Sequence, residues 1–325
     1  MTARQALVVE DLVTVFDTPE GEIRPVDGVS FTIPKGGIVC LVGESGSGKS
    51  VTALSLMRLI DPPGRIAAGR IQLGGIDLLT LTESEMNHIR GRNLAMIFQE
   101  PLTALNPSRR VGGQIAEVLR IHRSVSRRQA MRHAVDLLEK VGIPDPAVRA
   151  RAYPHQLSGG MRQRVMIAIA CACDPDLILA DEPTTALDVT VQAQVLRLLV
   201  DMQERTGSAL LFITHDLGVV AEIADRVVVL YAGQVVEEAE AARLFDSPAH
   251  PYTEALIASV PDVDAPRSPK RRLASIDGTV PLLTESGPGC RFRDRCPKAH
   301  ARCQADPPLV EPEAGRKVRC WLHVS

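Results

Sequence analysis

The chain has 325 residues and is 45% hydrophobic, so it can bury a full α/β core and still carry a smaller appendage. Its 37 Lys and Arg residues against 39 Asp and Glu give a net charge of -2, which provides no general attraction to nucleic acid or to an anionic membrane surface. Aromatic residues make up only 3%, too few for the stacking platforms of a single-strand binder, so we expect no nucleic-acid partner.

The compartment follows from the apolar runs and the cysteines. Residues 1–11 lack the apolar core of a signal peptide, and the longest apolar run, 165–173, is well short of the ~20 residues of a membrane helix. We therefore expect a cytoplasmic protein that does not itself span a bilayer. Cys40, Cys171 and Cys173 lie in apolar segments and are predicted to be core residues, whereas the other four cysteines crowd the C-terminus.

The first part of the chain, residues 7–36, alternates short β-rich segments with turn residues and predicts an antiparallel sheet. The β-rich segments are 12–16 and 29–33. Phe16 ends the first of them, where an aromatic ring can stack on a purine or pack as a core or edge residue. The pattern alone favours the core interpretation.

A glycine-rich loop follows the apolar strand predicted at 38–42 and opens into a predicted helix at 51–57. Glycines let successive backbone N–H groups turn inward around a phosphate, and the helix N-terminus adds partial positive charge. Lys49 is expected to neutralise the β and γ phosphates and Ser50 to bind Mg²⁺. The alternative is a simple glycine turn, which the complete motif and both flanks disfavour. The predicted nucleotide-binding residues of the loop are Gly43, Glu44, Ser45, Gly46, Ser47, Gly48, Lys49 and Ser50.

The next apolar strand, 94–98, ends in Gln99. A polar residue at the carboxyl end of a strand in an α/β sheet points towards the ligand crevice, so Gln99 is a candidate for the metal or the attacking water. From residue 100 to 153 the sequence becomes helical and Arg-rich, which predicts a helical insertion with helices at 111–122 and 127–141. We interpret its arginines as a solvated face.

A second glycine-containing helix start, at 157–164, carries Ser158 where an N-cap belongs, followed by Gly159 and Gly160. The glycines leave backbone N–H groups exposed at the positive end of the helix, so this is a second candidate anion site in the same chain. An ordinary capped helix start explains the pattern equally well when it is taken alone.

Two further strands carry polar residues at their carboxyl ends. The apolar strand 177–180 is followed by Asp181 and Glu182, whose side chains point opposite ways and can take different roles. Asp181 is expected to hold Mg²⁺, and Glu182 to orient and deprotonate the attacking water; a solvated acidic turn is the alternative. His215 follows strand 209–214 and is a candidate to bond the γ phosphate or the water.

The C-terminal part begins with a predicted hairpin at 225–236 and a proline-broken helix at 239–258. A stretch rich in Pro, Ser, Gly, Arg and Asp then marks a linker at 261–289. Beyond this linker the four C-terminal cysteines follow one another at intervals.

Together these pieces resemble the nucleotide-binding subunit of ATP-binding cassette (ABC) importers over residues 7–260. The motifs that carry the resemblance, in the family's order and spacing, are the phosphate loop, Gln99, 157–161, 181–182, 186–188 and His215. The resemblance implies an α/β fold of the P-loop NTPase type, with an antiparallel β subdomain, a helical insertion and a small cysteine-rich C-terminal extension. It also implies bound ATP and Mg²⁺ and identifies Phe16 as the adenine-stacking aromatic, contrary to the pattern alone.

The resemblance divides the chain into a nucleotide-binding domain at 1–260, with its helical subdomain at about 100–160, a linker at 261–289 and an extension at 290–325. In the family, two subunits pack head to tail and sandwich ATP between the phosphate loop of one and the signature helix of the other. This implies that Ser158, Gly159 and Gly160 bind the nucleotide held by a partner chain.

A narrower resemblance, to the dipeptide, oligopeptide and nickel importer branch, rests on the segments 43–47, 100–107, 185–194 and 250–253. Met161 and the start of the third segment resemble the first of two paired ATPase subunits. The branch implies, as partners, a homologous second ATPase subunit, two transmembrane permease subunits and a periplasmic or extracellular solute-binding protein. The chain is then expected at the cytoplasmic face of the cell (inner) membrane.

The tail pattern, Cys290-x5-Cys296-x6-Cys303-x16-Cys320, also resembles that branch, some members of which hold a [4Fe–4S] cluster. Four thiolates can ligate such a cluster or Zn²⁺. No pair has the tight spacing of zinc sites, so we favour the cluster over zinc and over unligated thiols. Basic neighbours are expected to favour thiolate and to offset the charge of a cluster. These neighbours are Arg291, Arg293, Arg295, Lys298 and Arg302.

The sequence therefore predicts an ATPase subunit whose hydrolysis cycle drives a membrane importer for di- or oligopeptides or a related small solute. A soluble cassette ATPase acting on nucleic acid or ribosomes is the alternative, disfavoured by the balanced charge, the single cassette and the branch-specific tail. A regulatory protein that senses redox state through its cysteines is a third hypothesis, which fits the tail but not a complete hydrolytic set.

Overall fold

The computed structural model describes residues 4–185, 187–260, 276–281 and 288–324. The chain forms two compact units, each built from segments that are distant in sequence. Unit 1 comprises Met1–Leu7, Ile33–Gly37 and Gln72–Ile213, and unit 2 comprises Val8–Thr32, Ile38–Ile71 and Thr214–Ser325. Most of the predicted linker at 261–289, and Ala186 of the family motif, lie outside the described residues.

Strands and helices alternate along much of the described chain. The strands are β1 (Gln5–Thr18), β2 (Gly21–Pro34), β3 (Ile38–Val42), β4 (Gly64–Leu73), β5 (Ile76–Asp77), β6 (Leu94–Ile97), β7 (Leu177–Asp181), β8 (Ala209–Thr214), β9 (Arg226–Tyr231), β10 (Gln234–Glu240), β11 (Val310–Glu313) and β12 (Arg316–Val318). The α-helices are α1 (Lys49–Leu56), α2 (Glu83–Ile89), α3 (Pro101–Ala104), α4 (Val111–His122), α5 (Arg127–Lys140), α6 (Pro146–Arg149), α7 (Gly159–Ala170), α8 (Val189–Thr206), α9 (Leu217–Ile223), α10 (Ala241–Asp246) and α11 (Pro251–Ala258). Short 3-10 helices lie at Leu78–Thr80, Pro154–Gln156, Arg293–Arg295, Ala301–Gln304 and Trp321–His323. Within the part of the chain that the structure describes, no helix has both the length and the apolar character needed to cross a membrane.

Unit 1 is built around parallel strands in the order β6-β7-β8. Leu94 of β6 lies opposite Leu177 of β7. Every residue of β7 and β8 is buried, as the uninterrupted apolar runs of strands covered on both faces require. Because parallel strands end at the same edge of a sheet, Gln99 after β6 and Glu182 after β7 come together.

The helical part of unit 1 agrees with the prediction. Helices α4 and α5 match the two predicted helices to within one residue. A capping box starts α5: the N–H of Gln129 donates to Ser126 Oγ, and the N–H of Ser126 donates to Gln129 Oε1. Arg127 and Arg128 are exposed, as a solvated face requires.

Unit 2 contains a mixed sheet in which β3 pairs parallel with β9, and β9 pairs antiparallel with β10. The predicted hairpin is confirmed, and its turn lies at Ala232 and Gly233, which both have positive φ. Strand β12 pairs with β10, placing Val318 opposite Glu237, and β11 pairs with β12. The C-terminal extension thus adds two strands to this sheet.

A four-stranded sheet has the order β2-β1-β4-β5, in which β4 and β5 pair antiparallel. The predicted segments 12–16 and 29–33 are the ends of two longer strands, β1 and β2, of 14 residues each. In β1 the sequence pattern breaks at Asp11, which has φ 45°. An acidic residue with positive φ is typical of a turn, so the sequence alone underestimates the length of β1.

Candidate nucleotide site

The glycine-rich loop at residues 43–50 joins β3 to α1 in unit 2, and two of its glycines hold positions that a side chain would not allow. Gly48 has φ 101°, and a Cβ built on it would lie 2.0 Å from the carbonyl oxygen of Pro25. A Cβ on Gly43 would lie 2.2 Å from the carbonyl oxygen of Leu230. Glycine at both positions is therefore what lets the loop turn this tightly.

The polar groups of the loop suit a phosphate. The Lys49 side chain is buried, and its Nζ donates to the carbonyl oxygens of Gly43 (2.8 Å) and Glu44 (3.0 Å). Ser47 Oγ is also buried and has no hydrogen-bond partner within the described ranges. A buried cation enclosed by loop backbone, with an unpartnered hydroxyl in the same loop, fits an anion with several oxygens such as a triphosphate.

The predicted base, Glu182, follows β7 in unit 1 and has φ 44°, which is uncommon for a residue other than glycine. Its N–H donates to the carbonyl oxygen of Ile213 (2.9 Å). Its Oε2 accepts hydrogen bonds from Gln99 Nε2 (2.9 Å) and Thr185 Oγ1 (3.0 Å). Backbone conformations of this kind persist where the surroundings hold them and are frequent at functional sites. The two donors hold the carboxylate in one orientation.

The two adjacent carboxylates occupy different environments, as the sequence predicts. Asp181 is only 5% exposed, whereas Glu182 is half-buried. A buried carboxylate suits a metal ion, and a half-buried one can meet a water molecule. The assignment of Ser50, Gln99 and Asp181 to Mg²⁺ stays a prediction.

The hydrogen bonds to Glu182 place Gln99 and Thr185 where they can orient the predicted base. The sequence places Gln99 on the metal or the attacking water, whereas in the structure its amide group bonds the carboxylate directly. Thr185 was missed as a site residue. Its N–H donates to the carbonyl oxygen of Glu182 (3.2 Å), so a turn after the base returns the hydroxyl to it. The signal in the sequence is Pro183, which favours a turn there.

His215 is exposed in the short segment between β8 and α9. The following residue, Asp216, caps α9: its Oδ1 accepts hydrogen bonds from the N–H groups of Gly218 (2.9 Å) and Val219 (3.4 Å). His215 thus lies between the last residue of β8, Thr214, and the N-cap of α9, Asp216, so its backbone is held on both sides. Its contact with a γ phosphate or water stays a prediction.

The second predicted anion site lies at the N-terminus of α7 in unit 1. Ser158 is the N-cap, as predicted, and its Oγ accepts a hydrogen bond from the N–H of Met161 (3.3 Å). Ser158 and Gly159 are exposed, whereas a Cβ on Gly160 would lie 2.8 Å from Cγ1 of Val191 in α8. The helix start is open to solvent on one side and closely packed on the other.

Phe16 lies on β1 in unit 2 and is half-buried. Its ring packs against Gly64, because a Cβ on that glycine would lie 2.5 Å from Phe16 Cε1. The pattern alone favours a core position for Phe16, but the ring is not fully buried. A half-buried ring fits the stacking role that the family resemblance implies.

The four C-terminal cysteines lie in unit 2, close enough to one another to interact electrostatically. Among the described residues, however, no three His, Cys, Asp or Glu side chains are arranged to hold a metal ion. The structure therefore does not support the predicted iron–sulfur or zinc site at Cys290, Cys296, Cys303 and Cys320.

Lys298 lowers the pKa of Cys296 and of Cys320, as expected of a basic neighbour, but burial has the larger effect on these thiols. Burial raises the pKa of the Cys290 thiol to about 11, and it also raises the pKa of Cys296 and of Cys320. The basic side chains have other partners: Arg291 pairs with Asp27, Arg293 with Asp294, Arg295 with Glu44 and Lys298 with Glu254, and Arg302 lies over the ring of Trp321. Each of these basic side chains thus has a partner other than a cysteine.

Comparisons with known proteins agree with these features. The family model described as ABC transporter matches residues 26–185, and the one described as oligopeptide/dipeptide transporter, C-terminal region, matches 236–303. A probable peptide ABC transporter ATP-binding protein of Sinorhizobium fredii is 50% identical over 317 residues, covering 97% of this chain and 94% of its own length. The oligopeptide transport ATP-binding protein AppD of Bacillus subtilis is 51% identical over 319 residues, 98% of this chain and 96% of its own. The dipeptide transport ATP-binding protein DppD of Escherichia coli is 48% identical over 315 residues, 97% of this chain and 95% of its own.

A solved structure shows the same fold. The dimeric post-hydrolysis state of the ATP-binding cassette MJ0796, bound to ADP and Pi, superposes with a TM-score of 0.65 at 28% identity and covers 72% of this chain and 98% of its own. The fold and the loop geometry define an α/β ATPase of the P-loop type. The chain belongs to the ABC transporter family and is one of its ATPases, in the group that carries the oligopeptide/dipeptide transporter C-terminal region. The predicted family is thus confirmed, and so is the predicted α/β P-loop fold with its antiparallel sheet and helical part; the cysteine-rich extension stays a prediction.

Proposed function

We propose that this chain is the ATP-hydrolysing subunit of a membrane importer for di- or oligopeptides or a related small solute. The observation that carries the proposal is the Glu182 carboxylate, which Gln99 and Thr185 hold at the end of β7. A base in a fixed orientation is what in-line attack of water on a γ phosphate requires. The peptide solute is supported by relatives that are named for peptide transport and match the chain over 97% to 98% of its length.

Nucleotide binding falls to the phosphate loop. The backbone N–H groups of residues 43–48 and the ammonium group of Lys49 bind the phosphates of ATP. Phe16 stacks on the adenine. Ser50 supplies a hydroxyl to Mg²⁺, which contributes positive charge at the β and γ phosphates.

Hydrolysis falls to the polar residues that follow the parallel strands. Asp181 and Gln99 are the other residues proposed to bind Mg²⁺, directly or through water. Glu182 accepts a proton from the attacking water, and His215 bonds the γ phosphate or that water. The support for these separate roles is the difference in burial between the two adjacent carboxylates.

Each ATP is shared between two chains in this proposal. Ser158, Gly159 and Gly160 at the start of α7 close over the nucleotide held by a homologous second ATPase subunit. The support is the exposure of Ser158 and Gly159 at a capped helix start, since the N-terminus of a helix attracts anions. An isolated chain should therefore bind ATP but hydrolyse it slowly.

The proposal places the chain at the cytoplasmic face of the inner membrane, bound to two transmembrane permease subunits that receive solute from a periplasmic or extracellular binding protein. The relatives named as peptide transport ATP-binding proteins support this assembly. The alternative is a soluble cassette ATPase that works without a permease.

The test is ATP-dependent peptide uptake by proteoliposomes that contain the chain, its paired ATPase and the permease subunits. Glu182→Gln should bind ATP with an unchanged Kd and lose most turnover and uptake. Glu204→Gln, an exposed acid of α8, is the matched control and should behave as the wild type. Normal turnover in Glu182→Gln would contradict the assigned base, and full turnover that no permease stimulates would favour the soluble alternative.

The four cysteines carry a narrower proposal, a [4Fe–4S] cluster or zinc. Their pattern and mutual proximity support it, and the lack of a metal-ligand arrangement among the described residues opposes it. Anaerobic purification followed by iron, sulfide and zinc analysis decides. Iron with sulfide supports the cluster, zinc alone supports zinc, and a chain free of all three excludes both.

A further inference from the structure

An ion pair links the C-terminal extension to the phosphate loop within unit 2. Arg295 Nη1 lies 2.7 Å from Glu44 Oε2, and Arg295 Nη2 lies 3.0 Å from Glu44 Oε1. The contact is bidentate, the strongest geometry for a guanidinium and a carboxylate. The Arg295 side chain is only 6% exposed, so this pair differs from a solvated surface salt bridge. Its hydrogen bonds to Glu44 raise the pKa of Arg295 above its usual value.

The guanidinium group of Arg295 is itself fixed by several groups. Its Nε donates to the carbonyl oxygen of Asp277 (2.9 Å), and Nη2 donates to that of Ile276 (3.3 Å). Its Nη1 donates to the hydroxyl of Tyr231 (3.3 Å). The guanidinium also lies 5.8 Å from the ring centre of Tyr231 and 5.9 Å from that of Phe292. The fork that faces the loop therefore has one preferred orientation.

Glu44 is held through its backbone as well as its carboxylate. Its N–H donates to the hydroxyl of Tyr252 (2.9 Å), and its carbonyl oxygen accepts a hydrogen bond from Lys49 Nζ (3.0 Å). Tyr252 is fully buried and packs edge-on against Tyr231, with ring centres 4.6 Å apart. The ammonium group of Lys49 thus bonds the backbone of the same residue whose carboxylate pairs with Arg295.

Several contacts besides those of Arg295 join the extension to the rest of unit 2. Phe292 is fully buried, and Arg291 pairs with Asp27. In β12, Arg316 pairs with the buried Glu237 of β10 at 2.8 Å. Removal of the Arg295 side chain should therefore leave the extension in place, while the contact with the loop is lost together with the hydrogen bonds to Ile276, Asp277 and Tyr231.

We propose that Arg295 is a positioning residue for the nucleotide: through its ion pair with Glu44, the C-terminal extension holds the phosphate loop in the conformation that binds the triphosphate. The inference rests on the nucleotide site of the proposed function. The proposal gives a role to segments whose sequence is typical of the dipeptide, oligopeptide and nickel importer branch. These segments are 43–47, 250–253 and the tail around Cys290 and Cys296. Loss of the pair frees the loop and leaves the charge of Glu44 uncompensated beside the anionic phosphates.

The test measures the Kd of MgATP for the full-length chain by isothermal titration calorimetry, and kcat and KM for the assembled transporter. Arg295→Met keeps most of the buried side-chain volume and should raise the Kd and KM for ATP roughly tenfold, while kcat falls less than about twofold. Arg295→Lys keeps the charge without the fork and should fall between the wild type and Arg295→Met. A residue that only supports the fold would not produce this separation of KM from kcat.

A double-mutant cycle with Glu44→Gln tests whether Arg295 acts through the ion pair. In the Glu44→Gln background, Arg295→Met should change the Kd by less than about twofold, because the partner charge is already gone. The same full effect of Arg295→Met in both backgrounds would overturn the proposal. If Arg295→Met does not fold, Arg295→Lys supplies the same cycle.

Arg293→Met is the matched control, since Arg293 lies in the same 3-10 helix but bonds Asp294 and the carbonyl oxygen of Pro288. It should bind ATP as the wild type does. Lys49→Ala separates this inference from the proposed function. If Lys49→Ala loses ATP while Arg295→Met binds it normally, only the role of Arg295 is overturned; if Lys49→Ala also binds ATP normally, the nucleotide site itself is wrong.

Discussion

Replacing Thr185 by valine removes the hydrogen bond that its hydroxyl donates to the Glu182 carboxylate and keeps the shape of the side chain. A hydrogen bond to a charged group contributes ~1.5–3 kcal/mol when water is excluded. Thr185 is exposed, so water competes for the carboxylate, and we expect a loss of ~1 kcal/mol. If this loss falls on the transition state, kcat decreases roughly fivefold, because about 1.36 kcal/mol corresponds to a factor of ten.

Steady-state phosphate release by the assembled transporter measures kcat and KM separately. The KM for ATP should stay within about twofold of the wild type, since Thr185 is not part of the phosphate loop. Thr80→Val is the control, because it removes an exposed threonine hydroxyl that is distant in sequence from Glu182. A Thr185→Val variant with wild-type kcat, or with a raised KM and no change in kcat, would refute the argument that this hydroxyl orients the base.

The elements that sequence predicts well are those whose signal is local. Helices α4 and α5 follow from their apolar spacing and, for α5, from the capping residues Ser126 and Gln129. The strand β7 follows from an unbroken apolar run, and the position of Asp181 and Glu182 follows from where that run ends. Such features depend on neighbours a few residues apart, which a single sequence displays.

The contacts that sequence does not reveal join residues far apart in the chain. The ion pair between Glu44 and Arg295 spans 251 positions, and no periodicity or motif connects the two. The same limit applies to the cysteine tail. Neighbouring arginines make it look electropositive, but Arg291 is compensated by Asp27, which lies 264 positions away. Charge in a folded protein depends on partners in space rather than on composition near a motif.

Two further predictions concern unit 2. Gly48→Ala should abolish ATP binding and cost at least ~2 kcal/mol of stability, because its Cβ meets the Pro25 carbonyl oxygen and alanine strains at φ 101°; thermal melts with and without MgATP measure both. His250 is buried, which lowers its pKa to about 3. As the pH falls below about 6.5, this histidine therefore binds a proton in the unfolded chain but not in the folded one. Its contribution to stability is complete above that pH and should fall by about 1 kcal/mol between pH 7.5 and 5.5. His250→Asn, which keeps an acceptor for the Tyr252 N–H, should remove that part of the pH dependence in urea unfolding; an unchanged slope would show that other groups cause it.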